Sequence, residues 1–304
     1  MSSRGTFAGL DLIDGSSTTQ PDAGKVLIHG SQGSGKSRFA SSIAMTGKTL
    51  YIDLPGEKGV RAFQGDPWAK NIDVIRPESI TDFDTLFYEL SAGKHPYVAV
   101  VIDSITSLQK MAMRYMLGHS ETAVREIRQG TAPADLQTWG RTLDIMTDTA
   151  TFWFGLADGD RERPMHVIMT AQTKVSENEV TGVISRQPDV QRGAMQIMNA
   201  APDYVLFTDL EAQDEVDDDG EFIYRHVVRF GADPEYRTKG RVPRQLRGKM
   251  PKVLGRKSEP TLGQLARVLK WGGASVPTKT KTSAKAAGGG ESGKAAPATK
   301  GKEN

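Results

Sequence analysis

Short, uninterrupted apolar runs alternate with stretches of helical period along most of the chain. Residues 25–29 (KVLIH) predict a strand, and residues 36–45 a helix with Phe39, Ala40, Ile43 and Ala44 on one face. Residues 49–53 and 71–75 predict two more strands, 80–92 a helix, 97–103 the most continuously apolar strand, and 104–116 the helix after it. A helix over 135–156 and a strand over 166–170 follow. Runs apolar at every position, rather than at every second one, belong to strands buried on both faces, and their alternation with helices predicts a mostly parallel sheet flanked by helices. Residues 203–207 and 222–230 predict a C-terminal β-hairpin around an acidic turn. A short helix closes the pattern over 258–272, with Pro260 near its start, Leu262, Leu265, Ala266 and Leu269 on one face, and Gly272 as a stop.

Composition trims this picture at both ends. Residues 1–20 are rich in Ser, Thr and Gly and predict a loose arm; residues 273–304 hold almost no large apolar side chains and predict a disordered tail. Between them, 21–272 is expected to form one α/β domain. The net charge of +2 conceals an uneven distribution: six lysines face only Glu291 and Glu303 in residues 274–304. Residues 209–221 carry eight acids and no base, while 232–257 carry nine bases against Asp233 and Glu235. The 304 residues include no cysteine, which excludes disulfides, thiolate metal sites and a cysteine nucleophile. The first seventeen residues lack the apolar core of a secretion signal, and the apolar run at 97–102 is far shorter than the ~20 residues of a membrane span. The expectation is a soluble, cytoplasmic protein with no membrane partner.

The chemistry gathers at strand ends. Gly30, Ser31, Gln32, Gly33, Ser34, Gly35, Lys36 and Ser37 fit the pattern G-x-x-x-x-G-K-[ST], directly after a strand and opening a helix, with Arg38 next in line. Glycines let backbone N–H groups turn inward around phosphate oxygens. In that arrangement Lys36 reaches the β- and γ-phosphates of ATP and Ser37 coordinates Mg²⁺. The strand 98–103 delivers Asp103 at its C-terminal end as the second metal-holding group, in the position where open α/β sheets bind ligands. The residue after it is Ser104 and not glutamate, so a base for hydrolysis has to come from elsewhere. Glu57, and behind it Asp53, at the end of the preceding strand are the candidates to hold an attacking water. Gln172, at the tip of the strand 166–170, is placed to sense the γ-phosphate.

Taken together, GSQGSGKS, YID followed by GE, VVIDS and VIMTAQ resemble the RecA-like ATPases over residues 25–244, and more narrowly the phage-encoded RecA-like NTPases of recombination and single-strand annealing. The resemblance implies a RecA-like P-loop core, DNA-stimulated ATP hydrolysis, a homo-oligomeric ring or filament, single-stranded DNA as partner, a single-strand-binding protein as possible second partner, and the host cytoplasm as location. It places DNA-contacting loops at 117–134, with His119, Arg125 and Arg128, and at 175–200, with Arg186, Arg192 and the apolar Met195, Ile197 and Met198. It also implies that Lys239 and Arg241 reach a neighbour's ATP site; as residues alone, they read equally well as part of a basic block facing DNA phosphates or solvent. Two alternatives stay open: a non-hydrolysing annealing or partner-loading module with a structural nucleotide site, and a P-loop small-molecule kinase.

Overall fold

The computed structural model describes residues 3–7, 10–13, 23–118, 136–159, 161–177, 182–216, 220–246, 248–256 and 258–272. Strands β1 (Ser3–Phe7) and β2 (Leu10–Ile13) pair antiparallel, so the expected loose arm contains a hairpin. The main sheet uses β3 (Lys25–Gly30), β4 (Thr49–Asp53), β5 (Ile72–Ile75), β6 (Ala99–Asp103), β7 (His166–Glu177), β8 (Ile184–Pro188), β9 (Tyr204–Val216), β10 (Phe222–Arg229), β11 (Lys239–Gly240) and β12 (Val253–Leu254). Its order is β12-β10-β9-β3-β7-β6-β4-β5, with β11 on β9 and β8 on β7. The strands from β9 to β5 in that order are parallel; β10, β11, β12 and β8 pair antiparallel.

Alternation of side chains across the parallel strands feeds two cores. Leu27, Ile52, Val100, Ile102, Val167 and Met169 pack under α2 (Ile80–Ser91), α3 (Ile105–Met116), α4 (Leu136–Gly155) and α5 (Arg192–Ala200). Val26, Ile28, Ala99, Val101 and Ile168 pack on the other face under α1 (Lys36–Ser41) and α6 (Leu262–Leu269). Helix entry is set locally: Ser79 and Asp82 form a reciprocal capping box on α2, and Ser104 caps α3. No described helix is long and apolar enough to cross a membrane.

Three expectations need correction. The helix expected over 36–45 stops at Ser41 and continues as a 3₁₀ turn, Ser42–Met45. The segment 175–200 is no unpatterned loop: β7 runs on to Glu177, turns back as β8 and leads into α5. Met198 is fully buried, and Met195 and Ile197 pack against the same core, so these three side chains stabilise the fold and do not face a ligand. The final helix ends at Leu269, with Lys270 in the left-handed region, two residues before Gly272.

Candidate nucleotide site

Parallel pairing brings the chemistry-bearing residues to one edge. Gly30 stands opposite Gln172 and Asp53 opposite Asp103, while β7 lies between β3 and β6. The strand that carries Gln172 is thereby wedged between the strand that feeds the loop and the strand that delivers the carboxylate.

The loop after β3 opens to solvent at Ser31, Gln32 and Gly33, while Ser34 and Lys36 are buried. Gly33 and Gly35 have φ of 79° and 88°, a region that only glycine enters without strain, and the turn they make leads into α1. The rear of the loop is anchored by Ser34 Oγ to Thr208 Oγ1 of β9, 2.7 Å, and by His226 Nδ1 of β10, 3.2 Å from the Ser34 carbonyl. Lys36 Nζ donates to the carbonyls of Gly30 (3.0 Å) and Ser31 (2.7 Å) and stands 3.4 Å from Gln172 Oε1. Burial pulls the Lys36 pKa down, and the nearby charges of Asp103 and Glu57 oppose that shift. The Arg38 guanidinium donates twice to Asp66 at 2.8 Å and pairs with Glu259, so it ties α1 to flanking loops.

Asp103 is 1% exposed, and burial raises its pKa. Three hydroxyls oppose that shift by donating to the carboxylate: Thr170 to Oδ1, and Tyr51 and Ser37 (2.7 Å) to Oδ2. Mg²⁺ takes one or two protein oxygens and completes its octahedron with phosphates and water. The adjacent hard oxygens of Ser37 and Asp103 fit that demand. A neighbouring backbone seals this corner: a Cβ on Gly59 would lie 2.1 Å from Asp103 Oδ2 and 2.5 Å from the Tyr51 hydroxyl. Gly59→Ala is therefore expected to push Asp103 off Ser37. It should cost about 1–3 kcal/mol of stability as overpacking and raise the Mg²⁺ concentration needed for nucleotide binding, read by thermal denaturation and a Mg²⁺ titration.

The two carboxylates left open as bases now separate. Asp53 is 3% exposed and accepts from Arg76 Nε (2.9 Å) and the Gly59 N–H (3.2 Å). Glu57 instead reaches the start of α3 next to Asp103, where Oε1 accepts from Ser104 and from Ser107 (2.6 Å). The serine that follows Asp103 thus orients a glutamate delivered from the end of β4. Gln172 is held by its backbone: its N–H donates to Thr106 Oγ1 (3.0 Å), and its carbonyl accepts from the Asp189 N–H (2.7 Å).

A match to the family described as an AAA domain covers residues 22–242, which spans the loop, Ser37, Asp103 and Gln172. The chain belongs to that family. No curated protein matches it. The AAA domain here is a nucleotide-binding P-loop fold of the ATPase type, and Lys36, Ser37, Asp103, Glu57 and Gln172 converge within it.

The remaining expected residues are scattered. Arg186 is paired with Glu235 and lies over the Tyr236 ring at 5.0 Å, while Arg192 opens α5 and is exposed. Lys239 and Arg241 flank the start of β9, at the sheet end opposite the phosphate loop; Arg241 pairs with Asp203 at 2.6 Å, and Lys239 Nζ donates to the Ala200 carbonyl at 2.9 Å. His119, Arg125 and Arg128 lie outside the described residues. Tyr51, Gly59, Ser107 and Thr170 were not expected at the site; the one hint was a tyrosine hydroxyl inside an otherwise apolar strand.

Proposed function

We propose that this AAA-domain chain is a RecA-like Mg²⁺-ATP hydrolase that acts as a homo-oligomer on single-stranded DNA, in recombination, annealing or repair. The observation that carries the reading is the continuity of β7. Gln172 meets Lys36 at the phosphate loop, and the same strand continues into a hairpin whose Val175 and Ile184 are exposed. A change in what Lys36 and Gln172 bind therefore acts directly on the hairpin. Exposed Arg192, four residues past β8, adds a cation for a phosphate backbone. Lys239 and Arg241, at the far end of the sheet, suit a head-to-tail assembly in which one subunit's cations meet the next subunit's nucleotide.

In this mechanism Ser37 and Asp103 would hold Mg²⁺, which would neutralise charge on the phosphates when bound. Lys36 exchanges its carbonyl partners for phosphate oxygens. Glu57, fixed by Ser104 and Ser107, takes a proton from the attacking water. Single-stranded DNA is expected to raise ATP turnover roughly tenfold in the wild type, within the usual range of coupling between sites, and to leave Gln172→Ala unstimulated. A wild-type rate indifferent to DNA would overturn the coupling.

The second reading, annealing with a structural nucleotide, draws on the same Glu57 contacts, since a carboxylate already holding two hydroxyls can serve as a fixed brace. Annealing that persists undiminished in Lys36→Ala, with nucleotide binding lost, would favour it.

A further inference from the structure

Helices α2, α3 and α4 all run back from the nucleotide edge, and their last turns bring Tyr88, Tyr115 and Phe152 together at the opposite end of the domain. These rings are 70%, 44% and 54% exposed, and with Phe87 they rim a groove of about 440 Å³. That volume lies within the roughly 300–1,000 Å³ range of ligand-binding clefts. Asp84 from α2 and Asp148 from α4 line the same groove, and among the described residues neither has an ion pair or hydrogen bond. Partial burial in the groove pushes the Asp84 carboxyl up. Aromatic faces beside unpaired carboxylates make a receptor for an organic cation, because the ring quadrupole and the carboxylate both attract an ammonium group.

The described chain ends at the same end of the sheet as this groove, on the opposite face. Trp271 packs on Gly24, where a Cβ would lie 2.3 Å from the indole, and its ring sits 5.7 Å from that of His166. The Ala23 N–H donates to the Ala157 carbonyl just past α4, which fixes this exit at the same end of the sheet as Phe152. Beyond it, Lys279, Lys281 and Lys285 follow in sequence, with no acid before Glu291. The fourteen residues from Gly272 to Lys285, thirteen steps of chain, span at most about 45 Å, more than the ~30 Å length of a 20-residue helix such as α4.

We infer that the groove between α2 and α4 is a docking site for lysine side chains of this chain's own C-terminal segment, with Asp84 and Asp148 as charge partners and Tyr88 and Phe152 as the aromatic walls. Bound there, those lysines are withheld from nucleic acid, so the segment alternates between the groove and a phosphate backbone.

Carbodiimide coupling of the full chain, followed by mass spectrometry, tests this without nucleotide or DNA. Asp84 or Asp148 should become joined to Lys279, Lys281 or Lys285. Mixing ¹⁵N-labelled and unlabelled protein should leave those links within single chains. In Tyr88→Ala with Phe152→Ala, both at exposed positions, the yield should fall about tenfold as the cation–π walls are lost. Links dominated by mixed-isotope pairs would assign the groove to a second copy and overturn the inference. So would lysines coupled indifferently to Glu78, Glu89 and Asp144, or a yield unmoved by the aromatic substitutions.

Discussion

Glu57→Gln is expected to slow ATP turnover by about 10²–10⁴-fold, the range that loss of a general base costs, while nucleotide affinity holds. Glutamine keeps the length of the side chain, and its amide oxygen can still accept from Ser104 and Ser107, as Glu57 Oε1 does. What disappears is basicity. The Asp53→Asn variant separates this effect from any general disturbance of the loop after β4. Asp53 is committed to Arg76 and the Gly59 N–H, so its loss should lower thermal stability and leave the pH dependence of turnover unchanged. Ser107→Ala removes one of two orienting donors, and its turnover should fall between those of wild type and Glu57→Gln. Single-turnover kinetics beside equilibrium nucleotide binding separate the chemical step from affinity. Wild-type turnover in Glu57→Gln would remove Glu57 from the mechanism and assign the base to another group.

The parts of this site legible in the sequence were those whose neighbours in space are also neighbours in the chain. The phosphate loop is one contiguous stretch, and Asp103 ends a strand apolar enough to be recognised on its own. Glu57 was legible as a strand-end carboxylate, but its distinction from Asp53 depends on contacts with Ser104, Ser107 and Arg76 that only the sheet order creates. Tyr51 and Thr170 escaped for a related reason. In a strand buried on both faces, a hydroxyl reads as a tolerated polar atom until its partner across the sheet is known, and here that partner is Asp103 from both sides. Gly59 carries no local signal at all, because its role is the closeness of its backbone to the Asp103 carboxylate. The segment 175–200 was misread as a loop because its apolar residues are split between a hairpin and a nine-residue helix, each too short to establish a period. The cationic cluster that best matched a motif, Lys239 and Arg241, lies at the end of the sheet away from its own nucleotide site, a placement that spacing in the sequence does not contain.

Acid should destabilise this fold steeply between pH 6.5 and 4, through two histidines built into the sheet. Burial lowers the pKa of His29 to about 3 and that of His166 to about 4. Both are neutral in the folded state by design of their contacts. His166 Nδ1 accepts the Gly24 N–H at 2.9 Å, which requires an unprotonated nitrogen there, and His29 lies next to the loop that positions Lys36. In the unfolded chain each titrates near 6.5. Below that value the unfolded state binds more protons than the folded state, so stability present at neutral pH is lost as pH falls toward the two folded pKa values. At pH 5 the loss is about 2 kcal/mol per histidine and about 4 kcal/mol together. Asp103, whose pKa burial raises, acts with the opposite sign. Urea denaturation at pH 7.5 and pH 5 measures the difference, and His166→Asn isolates half of it. Asparagine can accept the Gly24 N–H through its side-chain oxygen yet has no proton to gain, so its stability should depend on pH about half as strongly. Equal stability of the wild type at the two pH values would mean that neither imidazole is held neutral by the fold.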